Sequence, residues 1–157
     1  VKYLVGAVEL IHSVDSTELM DAISRRAQSL GIVQDVLLEV NIGGEASKSG
    51  VSPDGLEALL THAAACPGLH VKGLMTIPPA VSTGEENRWY FRRMYELFVD
   101  IRRKTYDNVS MAELSMGMSG DYEEAVRCGA TIVRLGTALF GPRNYDLQEA
   151  PPYGTIG

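Results

Sequence analysis

Apolar, strand-like runs alternate with amphipathic, helix-like runs along most of this chain, and that alternation restricts it to a parallel α/β sheet. Val8–Val14 is the first expected strand, followed by a helix from about Thr17 to Leu30. Asp15, with Glu18 three residues on, forms the expected capping pair, and Gly31 closes the helix. Asp35–Ile42 is the second strand, with a nearly continuous run Val36-Leu37-Leu38-Glu39-Val40, as in strands covered on both faces. Gly43–Gly50 is a small-residue loop. Ser52-Pro53 then opens a helix that carries Leu56, Leu59, Leu60 and Ala63 on one face and ends near Pro67-Gly68.

Val71–Ile77 is the third strand, stopped by Pro78-Pro79. Thr83-Gly84-Glu85-Glu86 has the form of a capping box before the longest helix, whose Trp89, Met94, Leu97, Phe98 and Ile101 are expected to face the core. Ala112–Met116, Tyr122–Cys128 and Thr131–Leu135 complete the pattern as strand, helix and strand. The tail from Tyr145, with Pro151-Pro152 and Gly154, is expected to be loose.

Such units give parallel strands with right-handed crossovers. No G-x-G-x-x-G follows the first strand, which argues against a dinucleotide-binding fold. A (β/α)8 TIM barrel fits better. Its phosphate sites recur in the loops after strands 7 and 8. If the last two strands here hold those places, the chain supplies strands 4 to 8, and strands 1 to 3 are missing. A whole barrel runs to about 250 residues, against 157 in this chain. Val1-Lys2-Tyr3-Leu4-Val5-Gly6 has no initiator methionine and reads as the last turn of a helix already under way, as expected of a fragment. Residues 1–145 are thus expected to form one partial barrel domain, and 146–157 a tail.

The chemistry concentrates near the C-terminus, in Ser115-Met116-Gly117-Met118-Ser119 and Val133-Arg134-Leu135-Gly136-Thr137-Ala138-Leu139-Phe140-Gly141. Two apolar strands each end in glycines and hydroxyl-bearing residues. Glycines admit a ligand close to the backbone, and hydroxyls with free N–H groups bind phosphate oxygens. Arg134, inside an apolar strand, needs an anionic or hydrogen-bonding partner. The segment reads as a phosphate-ligand site.

Other classes fit poorly. A net charge of −6 argues against a duplex nucleic-acid binder, which needs a concentrated basic surface. Arg88, Arg92, Arg93, Arg102 and Arg103 are interleaved with Glu85, Glu86, Glu96 and Asp100, the pattern of a solvated helix face. Cys66 and Cys128 form neither a metal spacing nor a disulfide framework and are expected as free thiols in a reducing compartment. His12, His62 and His70 share no ligand spacing, so no metal site is expected. No signal peptide or membrane-length apolar run is present, and a cytoplasmic protein is expected.

Several segments together resemble one family. Ile11-His12-Ser13-Val14-Asp15-Ser16, Val40-Asn41-Ile42-Gly43-Gly44-Glu45 with Lys48-Ser49-Gly50, and Gly73-Leu74-Met75-Thr76-Ile77 match it in order. So do Leu114 to Asp121 and Val133 to Gly141. From Val1 to about Tyr145 the chain resembles the YggS/PROSC family of pyridoxal 5′-phosphate (PLP) homeostasis proteins, whose barrel is similar to the N-terminal domain of alanine racemase. The resemblance implies a non-catalytic, PLP-holding barrel that buffers or carries the cofactor, possible PLP-dependent client enzymes included. It implies that Ser115, Ser119 and the N–H groups of Gly136 and Thr137 hold the phosphate, that Arg134 faces the pyridine nitrogen, and that Met75 lines the pocket. A guanidinium there is always a donor, so the ring nitrogen stays unprotonated and the ring is a weaker electron sink.

The family's cofactor-bonding lysine lies in a first-strand segment that this chain does not contain, so no catalytic residue is expected. Of Lys2, Lys48, Lys72 and Lys104, only Lys48, in a loop on the ligand side, is a conceivable stand-in.

Plainer readings stand beside these. Ser115 and Ser119 could cap the following helix. Arg134 could pair with a buried acid such as Glu39. Asn41 and Glu45 fit ordinary turn residues better than pocket-mouth groups. The rival functions are a PLP-dependent racemase- or decarboxylase-like enzyme and a barrel for another phosphorylated metabolite. A racemase needs a second, β-rich domain; a sugar-phosphate barrel needs carboxylates and a base at strand ends. A five-strand piece would leave open sheet edges, inviting self-association or pairing with a missing N-terminal segment.

Overall fold

The computed structural model describes residues 1–80 and 84–142. The strands are β1 (Leu10–Val14), β2 (Gln34–Glu39), β3 (Leu69–Met75), β4 (Val109–Met118) and β5 (Ile132–Arg134). The helices are α1 (Thr17–Ser29), α2 (Leu56–His62), α3 (Gly84–Arg102), α4 (Tyr122–Arg127) and α5 (Thr137–Phe140). All strand pairs are parallel, in the order β1-β2-β3-β4-β5. This strictly sequential order is what successive units of a (β/α)8 barrel produce. A doubly wound sheet would reverse at a switch point. The sheet is a half-barrel of five parallel strands. Thr83 of the expected capping box and the tail from Tyr145 lie outside the described residues, as does the 146–157 segment.

The two faces of the sheet differ in chemistry. Val36 and Leu38 of β2, Val71 and Leu74 of β3, and Leu114 and Met116 of β4 are buried against one core with Met20, Ile23 and Ala27 of α1. Leu56, Leu59 and Leu60 of α2, and Phe91, Met94 and Phe98 of α3, complete that core. The alternating residues point the other way and include Glu39 and Ser115, which are buried polar groups. The helix side therefore holds the sheet together, and the opposite side is free to carry function.

Two local expectations are corrected. The N-cap of α1 is Ser16 rather than Asp15, with no side-chain cap bond; Asp15 instead accepts from the Gly50 N–H at 3.4 Å. Trp89 does not face the core. It is 57% exposed and meets Tyr90 edge-on. The buried stripe of α3 runs Phe91, Met94, Phe98 and Ile101, and Trp89 falls about 200° around the helix from Phe91. The expected turn at the start is present: the Val5 N–H donates to the Val1 carbonyl at 3.2 Å, an i to i+4 bond, and Gly6, at φ +81°, follows it.

Other expectations hold. Gly31, with φ +68°, terminates α1, and Ser52 Oγ accepts from the Gly55 N–H ahead of α2. Gly73 permits the tightest approach in the sheet: a Cβ there would stand 1.7 Å from the Glu113 carbonyl oxygen.

Candidate functional site

The site is built on the face of the sheet turned away from the helices. In register, Glu39 of β2 lies beside Met75 of β3, and Met75 beside Ser115 of β4. Met75 and Ser115 are buried. Arg134, at the end of β5, reaches across β4. It donates to Ser115 Oγ and, at 3.0 Å, to the Thr76 carbonyl. Thr76 is held in turn by its hydroxyl, which donates to the Val40 carbonyl at 2.7 Å. On the far side, His12 Nδ1 lies 3.1 Å from Ser115 Oγ.

The electrostatics follow from burial. Arg134 has its pKa lowered by loss of water, an effect opposed by the charges of Glu39 and Asp121. The His12 pKa is lowered first by burial and then by the Arg134 charge. A neutral imidazole is thus favoured. Ser115 Oγ, already accepting from Arg134, can give its own proton to Nδ1. Glu39 is not the direct partner of Arg134; its carboxylate accepts from Ser49 Oγ at 2.6 Å.

A second group forms where the chain leaves β4 and β5. Ser119 Oγ accepts from two backbone N–H groups, Gly136 and Ala138, each at 3.1 Å. Ser119, Gly136 and Thr137 line one cavity of about 750 Å3, with Met118, Gly120 and Phe140. Among the described residues, and its two chain neighbours aside, no atom lies within 4 Å of where a Gly136 Cβ would stand. Gly117, at φ +95°, has no such room: a Cβ would meet that of Ala125 at 2.6 Å, which packs β4 tightly on α4. Neither Ser115 nor Ser119 caps α4. Its N-cap is Asp121, whose side chain accepts from the Met118 N–H at 2.6 Å.

The expected site residues therefore fall into two adjoining groups. Ser119, Gly136 and Thr137 come together at the cavity. Ser115 is set apart from them, fully buried between Arg134 and His12, with Met75 next to it in the sheet. His12 and Ala138 escaped the sequence reading. His12 lies in the matching segment Ile11–Ser16 and Ala138 in Val133–Gly141, but neither segment by itself shows which partner the residue meets. Asn41 and Glu45 are turn residues: Asn41 Nδ2 donates to the Glu45 carbonyl at 2.8 Å, and the Glu45 N–H returns a bond to Asn41 Oδ1.

Each lysine is engaged. Lys48 Nζ pairs with Glu45 at 2.7 Å and donates to the Pro78 carbonyl. Lys72 pairs with Asp35 and Lys104 with Glu57, both at 3.0 Å. Lys2 lies over the Tyr3 ring. On the outer surface, Arg88 and Arg127 both pair with Glu124, as a solvated charged face would. Among the described residues, no helix is long and apolar enough to cross a membrane.

Known proteins share this sequence pattern and fold. The family model described as "Alanine racemase, N-terminal domain" matches residues 1–144. A pyridoxal phosphate homeostasis protein of Aquifex aeolicus is 52% identical over 145 residues, covering 92% of this chain and 63% of that protein. The chain thus spans less than two thirds of that relative's length. The solved structure of PipY from Synechococcus elongatus without PLP superposes with a TM-score of 0.82 at 34% identity, over 89% of this chain and 65% of that one. PipY with PLP bound gives 0.78 at 32% identity, over 89% and 64%.

Proposed function

This chain belongs to the alanine racemase N-terminal domain family, and from that premise we propose that it binds PLP and serves PLP homeostasis as a carrier or buffer rather than as an enzyme. The observation that carries the proposal is the convergence of the Gly136 and Ala138 N–H groups on Ser119 Oγ at the mouth of an open cavity. Two backbone N–H donors that converge on one oxygen, with a hydroxyl free to donate beside them, are a donor set that suits a phosphate monoester. A phosphate oxygen would replace Ser119 Oγ as the acceptor, and the Ser119 hydroxyl would then donate to it.

The neighbouring group fits the rest of the cofactor. When bound, PLP supplies an aldehyde that captures amines and a ring that can withdraw electrons. Arg134 is a donor at every physiological pH, so opposite a pyridine nitrogen it would leave that atom unprotonated and keep electron withdrawal weak. Ser115 and the Thr76 carbonyl fix the guanidinium on β5, and the Ser115 hydroxyl can in turn donate to His12 Nδ1. Met75 is a neighbouring apolar wall. Weak electron withdrawal suits holding a cofactor better than turning one over. The compartment that suits two free thiols, Cys66 and Cys128, is the reducing cytoplasm. PLP-dependent enzymes are the natural recipients.

The test is a titration of the full chain with PLP, pyridoxal and inorganic phosphate, followed by cofactor absorbance and fluorescence. Saturable PLP binding, competed by phosphate and much weaker for pyridoxal, is expected. Equal binding of PLP and pyridoxal would overturn the phosphate assignment.

A further inference from the structure

We propose that Asp21, His62 and Cys66 form a site for a thiophilic divalent cation of the zinc class, on the helical layer remote from the phosphate cavity. Asp21 lies in the second turn of α1, His62 is the last residue of α2, and Cys66 follows after a 3-10 turn at Ala63–Ala65. His62 Nε2 is 2.8 Å from Asp21 Oδ1. The Cys66 thiol donates to that same oxygen at 3.6 Å. The three ligand atoms all lie within 4.8 Å of one another.

A tetrahedral zinc ion, with bonds of about 2.0–2.2 Å to nitrogen and oxygen and about 2.3 Å to sulfur, holds its ligand atoms roughly 3.3–3.6 Å apart. The observed triangle reaches that geometry by side-chain shifts on the order of an ångström. One sulfur, one imidazole and one carboxylate form a donor set suited to zinc rather than to magnesium or calcium, which take oxygens. Spacing along the chain concealed the site, because Asp21 comes from another helix.

The surroundings hold the triangle in place. Cys66 is fully buried, and its backbone is fixed from two sides. Asn108 Nδ2 donates to the Ala63 carbonyl at 3.0 Å. Ser24, one turn beyond Asp21 on α1, accepts from the Gly68 N–H through its hydroxyl at 3.1 Å. That clamp sets the distance between α1 and the segment after α2, hence between Asp21 and Cys66. His62 and Asp21 are partly exposed, so water can fill the fourth position. Three protein ligands with one open position is a common zinc arrangement.

Binding displaces two hydrogens. The Cys66 thiol hydrogen leaves to solvent, and the hydrogen that His62 Nε2 directs at Asp21 leaves that nitrogen, with Nδ1 or solvent taking up a proton in exchange, so that Nε2 presents its lone pair to the cation. The cation takes one bond each from Sγ, Nε2 and a carboxylate oxygen.

The experiment is a titration of the full chain with Co2+, watched for a thiolate-to-cobalt charge-transfer band, and a thermal melt with and without Zn2+. The band should appear at one equivalent, and Zn2+ should raise Tm because only the folded chain presents the site. Cys66→Ala should abolish the band and Cys128→Ala should preserve it. Should Cys66→Ala fail to fold, Asp21→Asn, at a partly exposed position, should weaken cobalt affinity by ~10-fold or more. No charge-transfer band at excess cobalt, a band that survives in Cys66→Ala, or a band lost in Cys128→Ala would each overturn the assignment.

Discussion

Arg134 of β5 donates to the hydroxyl of Ser115 on β4, and this one bond divides the site in two. It keeps Ser115, fully buried, beside the arginine and away from the cavity where Ser119 gathers the Gly136 and Ala138 N–H groups. The two serines, four residues apart on one motif, thus serve different ends.

Their substitutions should separate accordingly. Ser115→Ala leaves a half-buried guanidinium N–H without its acceptor, a loss of about 1–3 kcal/mol of stability. Ser119→Ala, at a half-exposed position where water can reach the two freed N–H groups, should cost less, about 0.5–1 kcal/mol. It should nevertheless weaken PLP binding by roughly tenfold, the worth of one hydrogen bond to a charged phosphate. Urea melts and cofactor titrations on both variants check this; equal stability losses would refute the division.

His12 should act as a pH-dependent weak point. Its pKa is lowered from the ordinary 6.5, by burial first and by Arg134 second. The unfolded chain therefore takes up this proton before the folded one does. Stability from this residue is present above 6.5 and is lost as pH falls from there through the folded pKa. Imidazole NMR titration measures the shift directly. In Arg134→Gln the His12 pKa should rise but stay depressed, since burial remains; an unchanged value would remove Arg134 as a cause.

Gly73→Ala should be severely destabilising. The added Cβ would sit 1.7 Å from the Glu113 carbonyl oxygen, a backbone atom that cannot rotate away. Separating β3 from β4 at that point should cost about 3 kcal/mol or more, read as a lower denaturant midpoint. A near-neutral Gly73→Ala would show that the two strands are not in this register.

The two aromatic residues Trp89 and Phe91 offer a check on how α3 sits. Phe91 is fully buried and Trp89 is mostly exposed. Phe91→Ala should cost about 3–5 kcal/mol, whereas Trp89→Ala should cost no more than about 1.5 kcal/mol, the value of its edge contact with Tyr90. The reverse order would mean that α3 is rotated on the sheet.

Much of the architecture is legible in local pattern. The continuous apolar run of β2, the leucine spacing of α2 and the Gly31 stop each report a local cause: coverage on two faces, a helical period, a left-handed residue. The misreading of Trp89 has a physical source as well. Bulk and hydrophobicity suggested burial, but helical phase is set by where the other apolar residues fall, and Phe91, Met94, Phe98 and Ile101 agree on a different face. The Asp15 cap failed because Asp15 found a partner in Gly50, far along the chain.

By itself the sequence determined the alternation of strands and helices, the parallel sheet it implies, the family, and the segments that carry polar groups into an apolar framework. These follow from periodicity and residue type, which act over a few neighbours. Tertiary structure alone decided the pairings: Arg134 with Ser115 rather than Glu39, His12 with a serine 103 residues away, Lys48 with Glu45 and Pro78, and Asp21 with His62 and Cys66. A hydrogen bond or a ligand triangle depends on distances of a few ångströms between side chains from different elements. Those distances exist only once strand register and helix packing have brought the elements together.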